Sequence, residues 1–267
     1  MTRRPKKSLG QNFLIDENIA RKIAAHLFLE PDDHLLEIGP GQGMLTKYLL
    51  PHVRRLVAVE LDRNLVSDLH EQFILHRNFE LVEADFLKFP IEQIFTSRVK
   101  WKIVGNIPYH ITSSIIFKIL EHRYQVDTLT LMIQREVAER IVAQPNSKTY
   151  GIPSVISQLF ADVKILFYVS NQVFFPKPKV ESAVIQWRFL PEPRYPVADE
   201  KLFVHMVKTM FGQRRKIIRN TLKAMLDSVD SSDIVLTKRP EQLSLAELVH
   251  ISNVISHGRT GPKGNSK

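Results

Sequence analysis

The fold is decided by the stretch Leu35-Leu-Glu-Ile-Gly-Pro-Gly-Gln-Gly43, in which a mostly apolar run leads into three glycines at alternate positions. Glycine lets a backbone turn sharply and approach a ligand closely, and the amide groups of such a turn point outward. The residues that follow predict a helix over Met44–Leu50 and a second strand over Arg55–Val59. The stretch therefore predicts a βαβ unit whose first turn binds a nucleotide-like ligand.

The spacing of these glycines distinguishes two classes of nucleotide-binding protein. Here the spacing is Gly-x-Gly-x-Gly, whereas the fingerprint of nicotinamide dehydrogenases places its third glycine where this chain has Met44. A glycine-rich turn alone is weak evidence, so a dehydrogenase remains an alternative at this point.

Strand and helix patterns alternate on both sides of this unit. A helix capped by Asp16 precedes it, with apolar residues at helical spacing after the cap. The later predicted strands are Phe79–Glu83, Lys102–Val104 and Thr128–Ile133. The predicted helices between and after them are Asn64–Ile74, Ser113–His122 and Glu136–Ala143. This alternation predicts an α/β fold with a mostly parallel sheet.

The pattern changes in the last third of the chain. A helix is predicted around Ser154–Phe160, followed by strands Val163–Val169 and Ala183–Phe189 that we expect to pair as a terminal antiparallel hairpin. The proline-rich segment Pro191–Pro196 is typical of a linker, and helical patterns dominate after it. We therefore predict a catalytic domain over residues 1–195, beginning with a basic N-terminal segment over 1–15. A small all-helical domain is predicted over 196–267, with a disordered tail from about residue 258.

The net charge of +9 is concentrated at the two ends of the chain. Residues 1–7 carry +4, residues 8–190 are neutral, and residues 191–267 carry +5. Basic ends on a neutral body are typical of a protein that holds a polyanion such as nucleic acid. A solubilising surface would give the same pattern, so charge alone does not decide between the two.

Composition also bears on the compartment. The chain has no cysteine, which excludes a disulfide framework and a thiolate metal site. Its basic N-terminus lacks the apolar stretch of a secretory signal, and no run of about eighteen apolar residues occurs. We expect a soluble cytoplasmic protein that binds no metal and acts as a monomer.

Two carboxylates follow the next predicted strands. Glu60 ends the second strand, 21 residues after Gly39, where it can accept hydrogen bonds from both hydroxyls of a ribose. Asp85 follows the third, where its oxygens can hold an adenine amino group. An isolated aspartate would more often cap a turn, but three consecutive strand ends with ligand-type residues favour a binding site.

The segment Asn106-Ile-Pro-Tyr109 ends the fourth strand and is the candidate reaction centre. An exocyclic adenine nitrogen is a poor nucleophile, so hydrogen-bond acceptors on its N–H groups would help an enzyme that methylates it. Asn106 can offer its side-chain carbonyl, Ile107 its backbone carbonyl, and Tyr109 a ring on which an extruded base stacks, while Pro108 stiffens the turn. The alternative is a tight turn with a partly buried tyrosine.

Taken together, these motifs resemble the ribosomal RNA adenine N6-dimethyltransferase family. The resemblance extends over most of the chain and suits the bacterial branch that dimethylates two adjacent adenines near the 3′ end of small-subunit ribosomal RNA. The matching motifs are Gln11–Leu14, Glu37–Gly43, Glu60, Asp85, Asn106–Tyr109, Phe174–Val180 with Ser182-Ala183, Phe211–Lys216 and Arg219-Asn220. The resemblance implies a class I methyltransferase (Rossmann-like) fold that uses S-adenosylmethionine.

The resemblance also implies roles that the residues alone do not reveal. Asn12 and Leu14 are implied to help to hold the cofactor, as is Asn106. Gly39 and Gly41 are implied to bind its methionine part, Glu60 its ribose and Asp85 its adenine. Phe174 is implied to flank the target base on the side opposite Tyr109. One departure is Ile107, where the family commonly has leucine; since its inferred role uses a backbone carbonyl, the change matters little.

The basic run Arg214–Arg219 is the candidate RNA contact. We predict that Arg214, Arg215, Lys216 and Arg219 lie on a helix and form an outward phosphate-binding face, although a merely solvated face is the alternative. The expected partners are small-subunit ribosomal RNA and a 30S precursor particle. Two rival functions stay open: methylation of large-subunit RNA that gives macrolide resistance, and ribosome assembly with dispensable catalysis.

Overall fold

The structure is a computed structural model that describes residues 4–6, 9–95, 99–227 and 229–260. The chain forms two compact units. The first comprises Met1–Ala138 and Asp162–Phe189, and the second comprises Glu139–Ala161 and Leu190–Lys267. Residues 139–161 thus belong with the C-terminal residues, whereas the predicted domains place them in the catalytic part. The assignment of catalysis to 1–195 and RNA binding to 196–267 stays a prediction.

The described residues form strands and α-helices in the alternation expected from the sequence. The strands are β1 (Phe13–Leu14), β2 (His34–Ile38), β3 (Arg55–Glu60), β4 (Phe79–Glu83), β5 (Trp101–Asn106), β6 (Val126–Gln134), β7 (Ala161–Val169), β8 (Phe174–Phe175) and β9 (Ser182–Phe189). The helices are α1 (Glu17–His26), α2 (Thr46–Leu49), α3 (Arg63–Phe73), α4 (Thr112–Glu121), α5 (Arg135–Ile141), α6 (Ile152–Phe160), α7 (Glu200–Gly212), α8 (Ile218–Thr221), α9 (Lys223–Leu226) and α10 (Leu245–Thr260).

Seven strands form one sheet in the order β4-β3-β2-β5-β6-β9-β7. The pairs β3–β4, β2–β3, β2–β5 and β5–β6 are parallel, and β6–β9 is antiparallel. The predicted mostly parallel sheet is confirmed, and β7 and β9, which were expected to pair, are neighbours at one edge. A separate two-stranded sheet joins β1 to β8 in antiparallel register.

The register brings the strand ends that carry the candidate residues to one edge. Ile38 lies opposite Val59 on β3 and opposite Gly105 on β5, and Glu60 lies opposite Glu83 on β4. Since the strands are parallel, the loops after β2, β3, β4 and β5 all leave at the same edge. A ligand site formed by these loops is the usual consequence of this topology.

Apolar side chains hold the sheet and its helices together. Leu35 and Leu36 of β2 are fully buried, as are Trp101 and Trp187 on β5 and β9. Helix α1 begins as predicted, because the Asp16 side chain accepts hydrogen bonds from the amides of Asn18 and Ile19. Helix α2 is shorter than predicted, since Pro51 follows it in a single 3₁₀ turn over Leu50–His52.

The second unit is helical over most of its described length. Its buried side chains include Phe203, Met206, Val207 and Met210, which line one side of α7. Helix α10 continues through residues 258–260, where the sequence predicted the start of a disordered tail. Residues 261–267, the rest of that predicted tail, lie outside the described residues. Among all the helices described, none is long and apolar enough to cross a membrane.

Candidate active site

A cavity opens at the carboxyl edge of the parallel strands. It is lined by residues 9–14, 37–42, 44, 45, 59–61, 65, 84–87 and 106–111. Ten residues that the sequence singled out line it together: Asn12, Leu14, Gly39, Gly41, Glu60, Asp85, Asn106, Ile107, Pro108 and Tyr109. Residues from five separate stretches of sequence therefore meet at one site.

The glycine turn requires glycine for two reasons. Gly39, Gly41 and Gly43 have φ angles of +66°, +60° and +75°, a region that other residues rarely adopt. A Cβ atom at Gly43 would also lie 2.8 Å from Cε2 of Phe73. The turn can therefore bring its backbone against a ligand without side chains in the way.

Glu60 is a buried carboxylate held by backbone amides. Its Oε2 accepts a hydrogen bond from the Gly41 amide at 3.1 Å, and its Oε1 accepts from Leu61 and Asp62 at 2.9 Å each. Burial raises the pKa of Glu60, and these three hydrogen bonds oppose that rise. The same bonds link the glycine turn to the end of β3 and fix the carboxylate in the cavity wall.

Glu37 is a second buried carboxylate at the cavity, to which the sequence assigned no role beyond its place in the glycine motif. Thr46 donates its hydroxyl to Oε2 of Glu37 at 2.7 Å. Burial, opposed by the Thr46 hydrogen bond and assisted by the charge of Glu60, raises the pKa of Glu37 to about 8. One acid near the glycine turn is therefore kept protonated at neutral pH.

Asp85 lies in the loop after β4, with its side chain one-third exposed. Its Oδ1 accepts from the Leu87 amide at 3.0 Å, and its backbone carbonyl accepts from the amides of Lys88 and Phe89. Asp85 both caps this turn and lines the cavity. Its interpretation as a turn cap is therefore compatible with its interpretation as a binding residue.

Asn106 has a defined amide orientation. Its Nδ2 donates to the backbone carbonyl of Asn12 at 3.1 Å, which leaves Oδ1 as an acceptor on the other branch of the amide. This contact also shows a structural role for Asn12, whose backbone carbonyl anchors the N-terminal segment to the end of β5. Leu14, next along that segment, is buried in the apolar core beside the cavity.

Tyr109 is half-buried, and its hydroxyl is hydrogen-bonded to Oγ of Ser182 at 2.8 Å. Ser182 begins β9 and is fully buried. Burial raises the pKa of Tyr109 despite the Ser182 contact, so the phenol stays neutral. The sequence indicated Ser182 only as part of a motif; the structure adds that it holds the ring of Tyr109.

The N-terminal segment forms one wall of the cavity. Lys6 donates from Nζ to Oδ1 of Asp62 at 2.7 Å, and Gln11 donates from Nε2 to Oδ2 of Asp62 at 3.1 Å. The Asp62 amide in turn donates to Glu60. Nothing in the sequence pattern indicates this network, because Lys6 and Gln11 lie 56 and 51 residues before Asp62.

Phe174 is buried in β8. Its side chain is 3% exposed and packs in the apolar core, and it is not among the residues that line the cavity. The neighbouring Phe175 is 57% exposed. Successive residues of a strand point to opposite sides, so in β8 the first ring is directed inward and the second outward. The predicted role of Phe174 beside the target base, opposite Tyr109, stays a prediction.

The basic run also differs from its prediction. Helix α7 ends at Gly212, and Arg214, Arg215 and Lys216 lie in the turn between α7 and α8. Arg214 donates to the backbone carbonyls of Ser147 and Lys148 at 3.0 and 2.6 Å, and its Nε lies 3.7 Å from Glu241. Arg215, Lys216 and Arg219 are exposed. The predicted common helical face is wrong, because Arg214, Arg215 and Lys216 lie in a turn and only Arg219 lies on a helix. The predicted contact of these residues with RNA stays a prediction.

Comparison with known proteins identifies the family. The model of the ribosomal RNA adenine dimethylase family matches residues 2–256. The ribosomal RNA small subunit methyltransferase A of Flavobacterium johnsoniae is 45% identical over 251 residues, covering 94% of this chain and 95% of the relative. The protein of the same description from Bacteroides fragilis is 44% identical and covers 97% of this chain and 95% of its own length.

Two solved structures share the fold. A dimethyladenosine transferase from Plasmodium falciparum superposes with a TM-score of 0.78 at 24% identity, covering 91% of this chain and 98% of the other. The 23S rRNA methyltransferase ErmE superposes with a TM-score of 0.65 at 31% identity, covering 90% of this chain and 98% of the other. The expected class I methyltransferase fold is confirmed. With the family model matched across nearly the whole chain, this chain belongs to the ribosomal RNA adenine dimethylase family.

Proposed function

We propose that this protein dimethylates the exocyclic N6 of two adjacent adenines in the 3′-terminal hairpin of small-subunit ribosomal RNA. It does so in the cytoplasm as a monomer, on a 30S precursor particle, and with no metal in the reaction. The chain is an S-adenosylmethionine-dependent ribosomal RNA methyltransferase by family. The observation that carries the finer proposal is the meeting of Asn106–Tyr109 with the glycine turn, Glu60 and Asp85 in one cavity.

The cavity fits S-adenosylmethionine. Gly39 and Gly41 line the cavity with backbone at φ angles that favour glycine, and Glu60 and Asp85 line it beside them. We assign Gly39 and Gly41 to the methionine part, Glu60 to the ribose hydroxyls and Asp85 to the adenine amino group. Asn12, Leu14 and Asn106 complete the wall near the methionine part. When bound, the cofactor supplies a methyl group on a sulfonium, which is already activated for displacement.

The target adenine is held by the segment after β5. Oδ1 of Asn106 and the backbone carbonyl of Ile107 accept hydrogen bonds from the two N–H groups of the exocyclic amine. This directs the nitrogen lone pair out of conjugation and toward the methyl group. Tyr109 offers its ring for stacking, and its contact with Ser182 supports this role by holding the ring still. Positioning is the main source of rate, and no strong base is required because the nitrogen becomes acidic as it is methylated.

RNA contacts outside the reaction centre are assigned to the second unit. Arg215, Lys216 and Arg219 are exposed and have the charge that phosphate groups require. Arg214, whose guanidinium binds carbonyls of the same unit, holds the turn that presents them.

The deciding experiment supplies purified protein and radiolabelled S-adenosylmethionine to ribosomal subunits from cells that lack this modification. We expect label in small-subunit RNA alone, at two adjacent adenines, with up to two methyl groups on each. Label in large-subunit RNA would instead support the macrolide-resistance class to which ErmE points. Binding to the small subunit without label would support an assembly factor with dispensable catalysis.

A further inference from the structure

Lys118 makes an arrangement that neither the motifs nor the proposed chemistry explains. It lies on α4, six residues after the start of the helix at Thr112. Its Nζ donates to the backbone carbonyls of Phe86, Leu87 and Phe89 at 2.8, 3.2 and 2.5 Å. An ammonium group has three N–H donors, and here each of them finds a carbonyl of one short loop.

That loop is the one that carries Asp85. The side chain and carbonyl of Asp85 accept the amides of residues 87–89, so the loop is a single turn of helical type. A turn of this kind leaves carbonyl groups without partners at its carboxyl end. Lys118 supplies those partners, and a positive charge is favourable at that end of the turn dipoles.

The contact is also shielded from water. Phe86 and Phe89 are 6% and 9% exposed, and the Lys118 ammonium lies 5.2 Å from the centre of the Phe86 ring. Burial lowers the pKa of Lys118, while Glu92, Asp85 and Glu121 oppose that effect. A partly buried cation is stable only when its donors are satisfied, so the loop and the lysine constrain each other.

We propose that Lys118 is a positioning residue for cofactor binding: it fixes the turn at 86–89 and thereby holds the Asp85 carboxylate where the adenine amino group binds. The proposal rests on the proposed role of Asp85. It adds a connection between the two halves of the site, because the 3₁₀ turn Tyr109–Ile111 leads directly into α4, and Lys118 of α4 contacts the Asp85 loop.

The test compares Lys118→Met, Lys118→Arg and Lys88→Met in the full-length chain. Lys88 is the matched control, since it is a lysine of the same loop, 87% exposed and 4.0 Å from Asp85. Calorimetric titration with S-adenosylmethionine should show Kd raised about tenfold in Lys118→Met, with kcat at saturating cofactor within about twofold of wild type. Lys118→Arg should recover part of the affinity, and Lys88→Met should bind as wild type does.

A double variant separates positioning from general destabilisation. If Lys118 acts through Asp85, then Lys118→Met should have little further effect on Kd in an Asp85→Ala background. Equal effects in both backgrounds, or a lowered melting temperature with an unchanged Kd, would overturn the proposal for Lys118. An Asp85→Ala variant that binds the cofactor normally would instead overturn the role of Asp85. Wild-type protein that does not bind would overturn the cofactor site itself.

Discussion

The carboxyl edge of the sheet and the basic segment Arg214–Arg219 both concentrate functional residue types, yet they are organised differently. At the sheet edge, residues that are far apart in sequence follow four hydrogen-bonded strands and line one cavity. In the basic segment, residues that are adjacent in sequence have different surroundings. Arg214 binds backbone carbonyls of Ser147 and Lys148, whereas Arg215 and Lys216 are exposed.

The difference shows how well closeness in sequence indicates a shared site, first for strand ends of a parallel sheet and then for residues of a turn. In a parallel sheet the strand ends must meet, so a residue type found at three or four of them is strong evidence for a site. In a turn, successive side chains point in different directions, so neighbouring cations need not share a surface. Residues that the sheet topology brings together are thus better evidence of a common function than residues that are merely adjacent in sequence.

Tyr109→Ala should have the largest effect, since it removes the stacking surface at the sheet edge. We expect kcat to fall on the order of 100-fold, with the Kd for S-adenosylmethionine within about twofold of wild type. Steady-state methylation of small ribosomal subunits and calorimetry measure the two quantities. Tyr109→Phe keeps the ring and loses only the Ser182 contact, so it should retain most activity. A raised Kd with normal kcat would place Tyr109 in the cofactor site instead.

Glu60→Ala should weaken cofactor binding first. Loss of a buried charged acceptor predicts a Kd raised about 30-fold, with kcat largely recovered at saturating cofactor. Glu83→Ala is the control, because Glu83 lies opposite Glu60 at the end of β4 and does not line the cavity. Equal losses in both variants would show that strand-end carboxylates act here through general charge and not through position.

Arg214→Ala and Arg215→Ala should separate the basic segment into two functions. Arg214→Ala should lower the free energy of unfolding by about 1–2 kcal/mol, because it removes charged hydrogen bonds to two carbonyls. Arg215→Ala should leave stability unchanged, weaken RNA binding about threefold and reduce its salt dependence. Denaturant titration and filter binding at several salt concentrations measure these changes. The same outcome for both variants would restore the predicted common face.

Glu37→Gln should have the smallest effect at neutral pH, where Glu37 is mostly protonated and glutamine is its neutral analogue, and it tests the pH dependence of stability. In the folded chain the pKa of Glu37 is about 8, against a usual value of 4.5, so the folded state binds the proton more tightly. Stability from this group is therefore present at low pH and is lost as pH rises from about 5 to about 8. In Glu37→Gln, which keeps an acceptor for Thr46, stability should fall less over that range. If the free energy of unfolding changed with pH in the same way in the variant and the wild type, the raised pKa of Glu37 would be contradicted.

Much of the fold and site could be predicted from the sequence. Strands β2 and β3 are mostly apolar because both faces of a parallel sheet are covered there, and the ends of β2, β3 and β4 locate Gly39, Glu60 and Asp85. The glycine spacing then distinguishes the kind of turn. These signals are local, and each is carried by a few adjacent residues.

The remaining features depend on contacts between distant residues. Which of Phe174 and Phe175 is buried depends on how β8 pairs with β1, some 160 residues away in sequence, as fixed by the pairing of Leu14 with Phe174. The contacts of Lys118 and Ser182 likewise join separate parts of the chain. No periodicity encodes such pairings, so sequence patterns could not reveal them.

The pairing of β1 with β8 has a consequence for the order in which the molecule is made. One wall of the cavity belongs to residues 9–14, but the strand partner of Phe13–Leu14, Phe174–Phe175, is synthesised much later. The hydrogen bond of the Tyr109 hydroxyl likewise forms only after Ser182 has been synthesised. A nascent chain that ends before β8 therefore has every glycine and carboxylate of the cofactor site without the wall that closes it. The strand pairing that holds this wall can therefore form only after Phe174–Phe175 has been synthesised.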